Sequence, residues 1–322
     1  MNAQTQKKII KLFKTVLVAA TFGFIIFKLF YTYKINELWE KFAQSNQNPN
    51  YLLLFFAVLF VVLNWGIEIV KWKKLISVYE HFSFSNASKS VLSGIALSII
   101  TPNQLGDFAG RVIHLKKFNK IKGSLVAIVG HTAQLMATLF AGVCGLFYIS
   151  STNIWFKQQY IKQAAMLFFI VFVIAIYLYV NLNKYTPKID KLKYSDKVKD
   201  YLKVFNAYDK KALTEILILS FVRYVVFMFQ YYFLLQFFGI NVSFIASLAC
   251  IGTIFFAQSV VPSFIFLDIG LRGASAIWIL EQYSNNTIGI LLSAYSLWMI
   301  NMMLPAIAGL IIIFKTKFTI NE

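Results

Sequence analysis

The chain has 322 residues, of which 59% are hydrophobic and only 14% charged, more apolar surface than a water-soluble core can hide. The apolar runs are long and unbroken, unlike the ~10-residue alternating segments of an outer-membrane barrel, so the expected fold class is an all-α polytopic membrane protein. A net charge of +18 could signal nucleic acid, but the lysines gather between the apolar runs, as cytoplasmic loops require, and no nucleic-acid partner is expected.

Cys144 and Cys250 both lie inside apolar runs, so no disulfide framework is implied. None of the three histidines sits in a metal-ligand spacing, so no metal or other cofactor is expected.

In chain order, the basic N-terminus MNAQTQKKIIKLFKT resembles the start of a signal peptide. The apolar run 15–33 that follows is too long for a signal core and lacks a small-residue cleavage site, so it is expected to remain as a first helix. Six segments, 15–33, 51–70, 123–150, 164–183, 212–238 and 287–314, are each long enough to cross a ~30 Å hydrocarbon layer at 1.5 Å per residue. Regions 86–115 and 243–281 are apolar but interrupted by Pro, Gly and charges.

Lysines set the expected orientation, with both termini inside. Lys7, Lys8, Lys11 and Lys14 precede the first span, and Lys71, Lys73, Lys74 and Lys89 follow the second. Lys116, Lys117, Lys120 and Lys122 follow the first interrupted region, so the chain leaves and re-enters on one side. The arm VLSGIALSII reaches ~15 Å as a helix, half a bilayer. A re-entrant hairpin turning at Pro102–Gly106 satisfies both constraints. The loop 184–211 carries nine lysines, the strongest cytoplasmic mark, and the tail adds Lys315 and Lys317. Region 243–281 then starts and ends outside, as a second re-entrant hairpin or as two full spans.

The two interrupted regions resemble each other. TPNQLGDFAGRV and VPSFIFLDIGLRGA each hold a proline, then an aspartate with an arginine four residues on: Asp107 with Arg111, and Asp268 with Arg272. Gly110 and Gly270 lie inside those intervals. With opposite orientations, about 51–150 and about 212–314 read as two inverted repeats of a single membrane domain, an arrangement typical of secondary transporters.

All three arginines are Arg111, Arg223 and Arg272, and 28 lysines make up the other basic residues. Arg223 lies about eleven residues into its span, ~16 Å deep, where a cation costs roughly 2.5–3.5 kcal/mol and needs a partner or a wet cavity. Guanidinium grips phosphate or carboxylate through paired hydrogen bonds that lysine cannot copy. Asp107 and Asp268 are placed to cap the second arm of each hairpin, aiming a positive helix end at the same point. The competing reading is an internal Asp–Arg pair that lets each hairpin insert.

His131, Gln134 and Thr138 form one polar stripe, either a helix contact or a pathway lining. Asn64 and Glu68 form an i,i+4 pair, with Glu68 beside Lys71 expected at the interface, and Asn301 with Pro305 is expected to kink the last span. The substrate-binding candidates are therefore Arg111, Arg272, Arg223, Asp107, Asp268, Pro102, Gly106, Gly110, Gly270, His131 and Gln134.

These residues resemble a known family. TPNQLGDFAGRVIHL is similar to the proline, glycine, acid and arginine motif in the membrane domain of lysylphosphatidylglycerol synthases and their stand-alone, flippase-like relatives. DIGLRGASAIWIL resembles the arginine segment before that family's last helices. Asp107 stands where the family uses Glu, and Gly273 replaces a second Glu. The resemblance implies translocation of an anionic or modified phospholipid, with polyprenyl-phosphate glycosyl transfer associated with some relatives. It also implies a bacterial inner membrane, and here no soluble aminoacyl-transfer domain.

Three functions follow from this reading. The first is a flippase whose partners are the membrane and a lipid with an anionic headgroup, not an enzyme and not ATP-driven, since no phosphate-binding G-x-x-x-x-G-K-[ST] loop is present. Asp107, Asp268 and Glu68 are its proton-carrier candidates. The second is an enzyme acting on a lipid phosphate through His114. The third is a scaffold or accessory subunit for a synthase partner, and the chain is a candidate homo-oligomer.

Overall fold

A computed structural model of the protein describes residues 49–99, 101–152, 158–185, 195–261 and 267–316, together with 37, 40 and 43. The expected first helix at 15–33 lies outside the described residues, as do positions 186–194 of the basic loop and 262–266 of the second break. Every regular element among the described residues is helical.

The elements are α1 (Tyr51–Ile76), α2 (Phe84–Ser98), a 3-10 turn (Pro102–Gln104), α3 (Gly106–Arg111), α4 (Lys120–Thr152), α5 (Gln158–Val180), α6 (Leu182–Tyr185) and α7 (Asp196–Leu202). After a second 3-10 turn (Lys203–Ala207) come α8 (Lys210–Phe237), α9 (Phe244–Val260), α10 (Leu267–Leu280), α11 (Thr287–Trp298), a π-turn (Met299–Met303) and α12 (Leu304–Lys315). Side-chain oxygens cap several starts: Asn50 accepts from Leu52 N–H, Ser83 from Asn86, Asp209 from Ala212 and Asn286 from Gly289.

Four stretches are long and apolar enough to cross a membrane: Tyr51–Ile76, Lys120–Ser151, Lys210–Phe237 and Thr287–Lys315. The protein is a polytopic membrane protein. Met166–Val180, Phe244–Val260 and Gly270–Leu280 are shorter apolar helices. The first hairpin arm is longer than its sequence suggests. It begins at Phe84 and has 15 residues, because Ser83 caps it well before the apolar run opens.

The first hairpin closes as a tight unit. Its turn places Asn103 and Gln104 in the left-handed region, with φ of 48° and 58°. The Thr101 hydroxyl accepts the Gly106 N–H at 2.7 Å and donates to the Leu97 carbonyl at 3.1 Å, which ties the two arms together across the turn. Glycine lets the two arms touch: a Cβ at Gly106 would run into the Leu97 carbonyl, and one at Gly110 into the backbone of Ser93 and Gly94.

Asp107 does not cap α3. The cap position is Leu105, without a side-chain bond, and Asp107 sits inside the first turn with its carboxylate turned to other partners. Six residues make α3 too short for a strong dipole, so side chains rather than a helix end set the local field.

The packing has a regular form. α1 lies along α8, α2 against α3 and α9 against α10, while α4 packs on α9 and α12 on α2. The helix that follows the first hairpin thus lies on α9, and the last helix lies on α2, the first arm of that hairpin. Gly145 and Gly252 let α4 and α9 approach to backbone contact.

The last span is interrupted as expected. Pro305 has no N–H to give the carbonyl four residues back, and that carbonyl, Asn301 O, instead accepts the Trp65 Nε1–H at 3.1 Å. The break is taken up as a π-turn that turns the Asn301 side chain inward.

Candidate functional site

A cavity of about 350 Å³ lies between the two hairpins and the long helices. Its wall includes Arg111 from α3, Arg223 from α8 and Arg272 from α10, which are all the arginines of the chain. Asp107, His131, Gln134 and Thr138 also line it, so the polar stripe on α4 faces the cavity.

The charges form one connected cluster. Glu68 of α1 is its hub. Its Oε1 accepts from Arg111 Nη1 at 2.8 Å, and its Oε2 lies 2.7 Å from Lys71 Nζ and 3.4 Å from Arg223 Nη1. Arg111 Nε donates to Asp107 Oδ2 at 2.7 Å, and His131 Nε2 stands 2.6 Å from the same oxygen. Arg223 Nη1 donates to Gln134 Oε1 at 3.0 Å, while its Nε is buried without a partner. Trp72 and Trp65 lie beside the Arg111 and Arg223 guanidiniums at 5.5 and 5.0 Å, within cation–π range.

Two sequence expectations fail here. Lys71 is not a cytoplasmic loop lysine and Glu68 is not interfacial: they are 1% and 3% exposed, facing each other inside the protein. Both lie on the side of α1 that packs on the other helices. A buried carboxylate surrounded by three cations is tolerated because each ion meets a countercharge and a hydrogen bond. Asn64 and Glu68 do not act as a pair: Asn64 Nδ2 donates to Asn301 Oδ1 at 2.8 Å, and Asn301 Nδ2 donates to Gln230 Oε1 at 2.9 Å.

The charges do not balance. Lys71, Arg111 and Arg223 bring three positive charges to the two carboxylates Glu68 and Asp107, a surplus of one within the cluster, and Arg272 adds a further cation to the same wall. An acidic guest entering the cavity meets that surplus.

Other candidates fall elsewhere. Gly106 and Gly110 are packing contacts within the first hairpin, outside the cavity wall. Gly270 is exposed with open space about it, and is likewise off the wall. Pro102 belongs to the turn by its backbone, and Asp268 lies in α10, but the side chains of both are outside the described residues. His114 meets Ser93 Oγ at 3.0 Å away from the cavity, and Ser93 is fully buried, which removes that hydroxyl as a nucleophile reachable by substrate.

Sequence reasoning missed Lys71, Trp65, Gln104, Gln258 and Ser259 on the wall. Gln258 and Ser259 carried a signal, being the last polar residues before the second break. Lys71 carried a misleading one, since two further lysines follow it toward the loop.

Comparison with known proteins agrees with this architecture at one level only. No curated protein and no solved structure matches the chain. The model of the lysylphosphatidylglycerol synthase TM region matches residues 12–309. That match spans most of the 322 residues, and the chain belongs to the lysylphosphatidylglycerol synthase TM region family.

Proposed function

We propose that the protein moves an anionic lipid, or a lipid phosphate, between the leaflets of a bacterial inner membrane. The headgroup occupies the cavity while the acyl chains stay in lipid. The observation that carries this reading is the convergence of all three arginines, from three separate elements, on one cavity with surplus positive charge. Guanidinium groups in a low-dielectric wall recognise phosphate strongly and in a fixed orientation.

The exchange of packing partners between α4–α9 and α12–α2 supports two inverted repeats, about 51–150 and about 212–314, that rock about the site. The short arms α2, α9 and α10 favour re-entrant hairpins over full spans. On the lysine rule both ends of the chain face the cytoplasm. On this reading the transport is downhill or ion-coupled and involves no covalent chemistry; among the described wall residues, Ser98 and Ser259 bond to backbone carbonyls rather than to His131.

The test is lipid exchange in vesicles reconstituted with purified protein, using a fluorescent phosphatidylglycerol analogue and a membrane-impermeant quencher. Charge-assisted hydrogen bonds contribute about 1.5–3 kcal/mol each. Arg223→Gln and Arg272→Gln are therefore expected to slow exchange by roughly tenfold or more. Unchanged rates in both variants overturn the reading.

A further inference from the structure

We propose that Gln104 is a specificity-determining contact for the headgroup: its amide oxygen accepts a hydrogen bond from a hydroxyl carried beyond the phosphate. This rests on the anionic-lipid reading above and extends it to the uncharged part of the headgroup.

The turn of the first hairpin holds Asn103 at φ 48° and Gln104 at φ 58°. In that region a Cβ crowds the neighbouring carbonyl, so glycine enters it freely and asparagine is tolerated through its short polar side chain. Asn103 therefore suits the turn, whereas Gln104 is strained there. Backbone strain of this kind persists where the side chain it places has work to do. Both side chains are exposed, but Gln104 lines the cavity and Asn103 is off its wall.

Five side-chain amides are found among the described wall residues: Asn64, Gln104, Gln134, Gln258 and Asn301. Four are committed within the protein. Asn64 Nδ2 donates to Asn301 Oδ1, Gln134 Oε1 accepts from Arg223, and Gln258 Nε2 donates to Ser275 Oγ at 3.1 Å. The Gln104 amide has no hydrogen-bond partner among the described residues.

The cations of the wall already occupy much of what could accept. Glu68 receives Arg111 and Lys71, and Asp107 receives Arg111. Arg111, Arg223 and Arg272 offer only donors, which phosphate oxygens satisfy. A headgroup hydroxyl needs an acceptor instead, and Gln104 Oε1 is one that the protein leaves unengaged. A site built to bond a hydroxyl discriminates against the analogue that lacks it.

The experiment is the vesicle exchange assay on the purified full chain, with tail-labelled phosphatidylglycerol and tail-labelled phosphatidylmethanol as probes. Both are singly charged phosphodiesters, and only the first carries headgroup hydroxyls. Wild type is expected to exchange phosphatidylglycerol faster. Gln104→Gly is expected to slow phosphatidylglycerol by roughly tenfold, the loss of one hydrogen bond, and to leave phosphatidylmethanol unchanged. Its thermal midpoint should hold or rise, because glycine relieves the left-handed strain. Asn103→Gly loosens the same turn with the wall intact and should exchange both lipids at the wild-type rate. Gln104→Asn keeps an amide and should retain more phosphatidylglycerol exchange than Gln104→Gly.

Equal rates for the two lipids in wild type overturn the proposal without any variant. So do a wild-type phosphatidylglycerol rate in Gln104→Gly, equal slowing of both lipids, or the same slowing in Asn103→Gly. A Gln104→Gly chain that fails to fold contradicts the strain and also overturns it. Each of these leaves the anionic-lipid reading in place, since that is judged on Arg223→Gln and Arg272→Gln. Failure of wild type to exchange either lipid overturns both.

Discussion

Glu68 and Arg111, separated by 43 positions in the chain, meet at 2.8 Å with each side chain no more than 5% exposed. This contact ties the first long helix to the returning arm of the first hairpin. Through Glu68 it also reaches Lys71 and Arg223, so one carboxylate holds three cations in register around the cavity.

Removing that carboxylate is expected to be costly. Glu68→Gln leaves Lys71, Arg111 and Arg223 without their shared countercharge, and breaking a buried pair costs about 3–5 kcal/mol. A large drop in thermal midpoint in detergent is the expected result, with Glu68→Asp less affected. By contrast, Lys74→Gln removes an exposed pair with Glu215, whose side chains are 49% and 39% exposed, and should leave the midpoint nearly unchanged. Similar midpoints for Glu68→Gln and Lys74→Gln would show that the buried cluster is dispensable.

The hairpin arms give a second contrast. Gly110→Ala forces a methyl into the backbone of Ser93 and Gly94, and overpacking of this kind costs about 1–3 kcal/mol. Gly270→Ala meets nothing within 4 Å, and its exposed helical position should make it neutral or up to ~1 kcal/mol stabilising. Melting curves of the two variants side by side decide this.

Asn301 links three elements. Its amide is bonded to Asn64 on α1 and Gln230 on α8 from within the π-turn. Asn301→Leu leaves both partners buried and unsatisfied, at about 1–3 kcal/mol for each lost group. A double-mutant cycle with Asn64→Ala is expected to show coupling above 0.5 kcal/mol, roughly the lower limit for residues in contact. Strict additivity would show that the amides do not cooperate.

The loop side of the molecule makes a pH prediction. Burial pushes the Tyr79 hydroxyl up to about 12 and raises the Tyr208 hydroxyl as well. Tyr79 donates to the Val204 carbonyl, and Tyr208 to the Leu75 carbonyl at 2.9 Å. A raised phenol contributes stability that is intact below its unfolded value near 10 and lost as pH climbs from there through the folded value. Stability should therefore fall between about pH 10 and 12, and Tyr79→Phe should fall less steeply across that window. Parallel alkaline profiles for wild type and variant would exclude Tyr79 as a cause.

Arginine geometry can be separated from charge at Arg223. Lysine at this position keeps the positive charge but loses the planar fork that now reaches Gln134 and Glu68. Arg223→Lys is expected to fold and to exchange lipid more slowly than wild type by roughly tenfold, the equivalent of one lost bond of about 1.4 kcal/mol. Full activity would mean that net charge alone matters.

Much of this architecture was legible in the residues. Unbroken apolar runs dictated membrane helices, because only a closed set of backbone hydrogen bonds survives in lipid. Pro102 and Gly106 marked the first turn, Pro305 marked the interruption of the last span, and the rarity of arginine singled out Arg111, Arg223 and Arg272. What the sequence could not tell was which face of α1 points inward. That helix is apolar nearly all round, so its periodicity offers no preferred side, and Lys71 looked like one more loop lysine. Only packing against α8 and the first hairpin buried Glu68 and Lys71 and joined them to Arg111 and Arg223. Local sequence sets the secondary structure because its hydrogen bonds close within a few residues, whereas the charge cluster is built from groups far apart in the chain that become neighbours only when the helices associate.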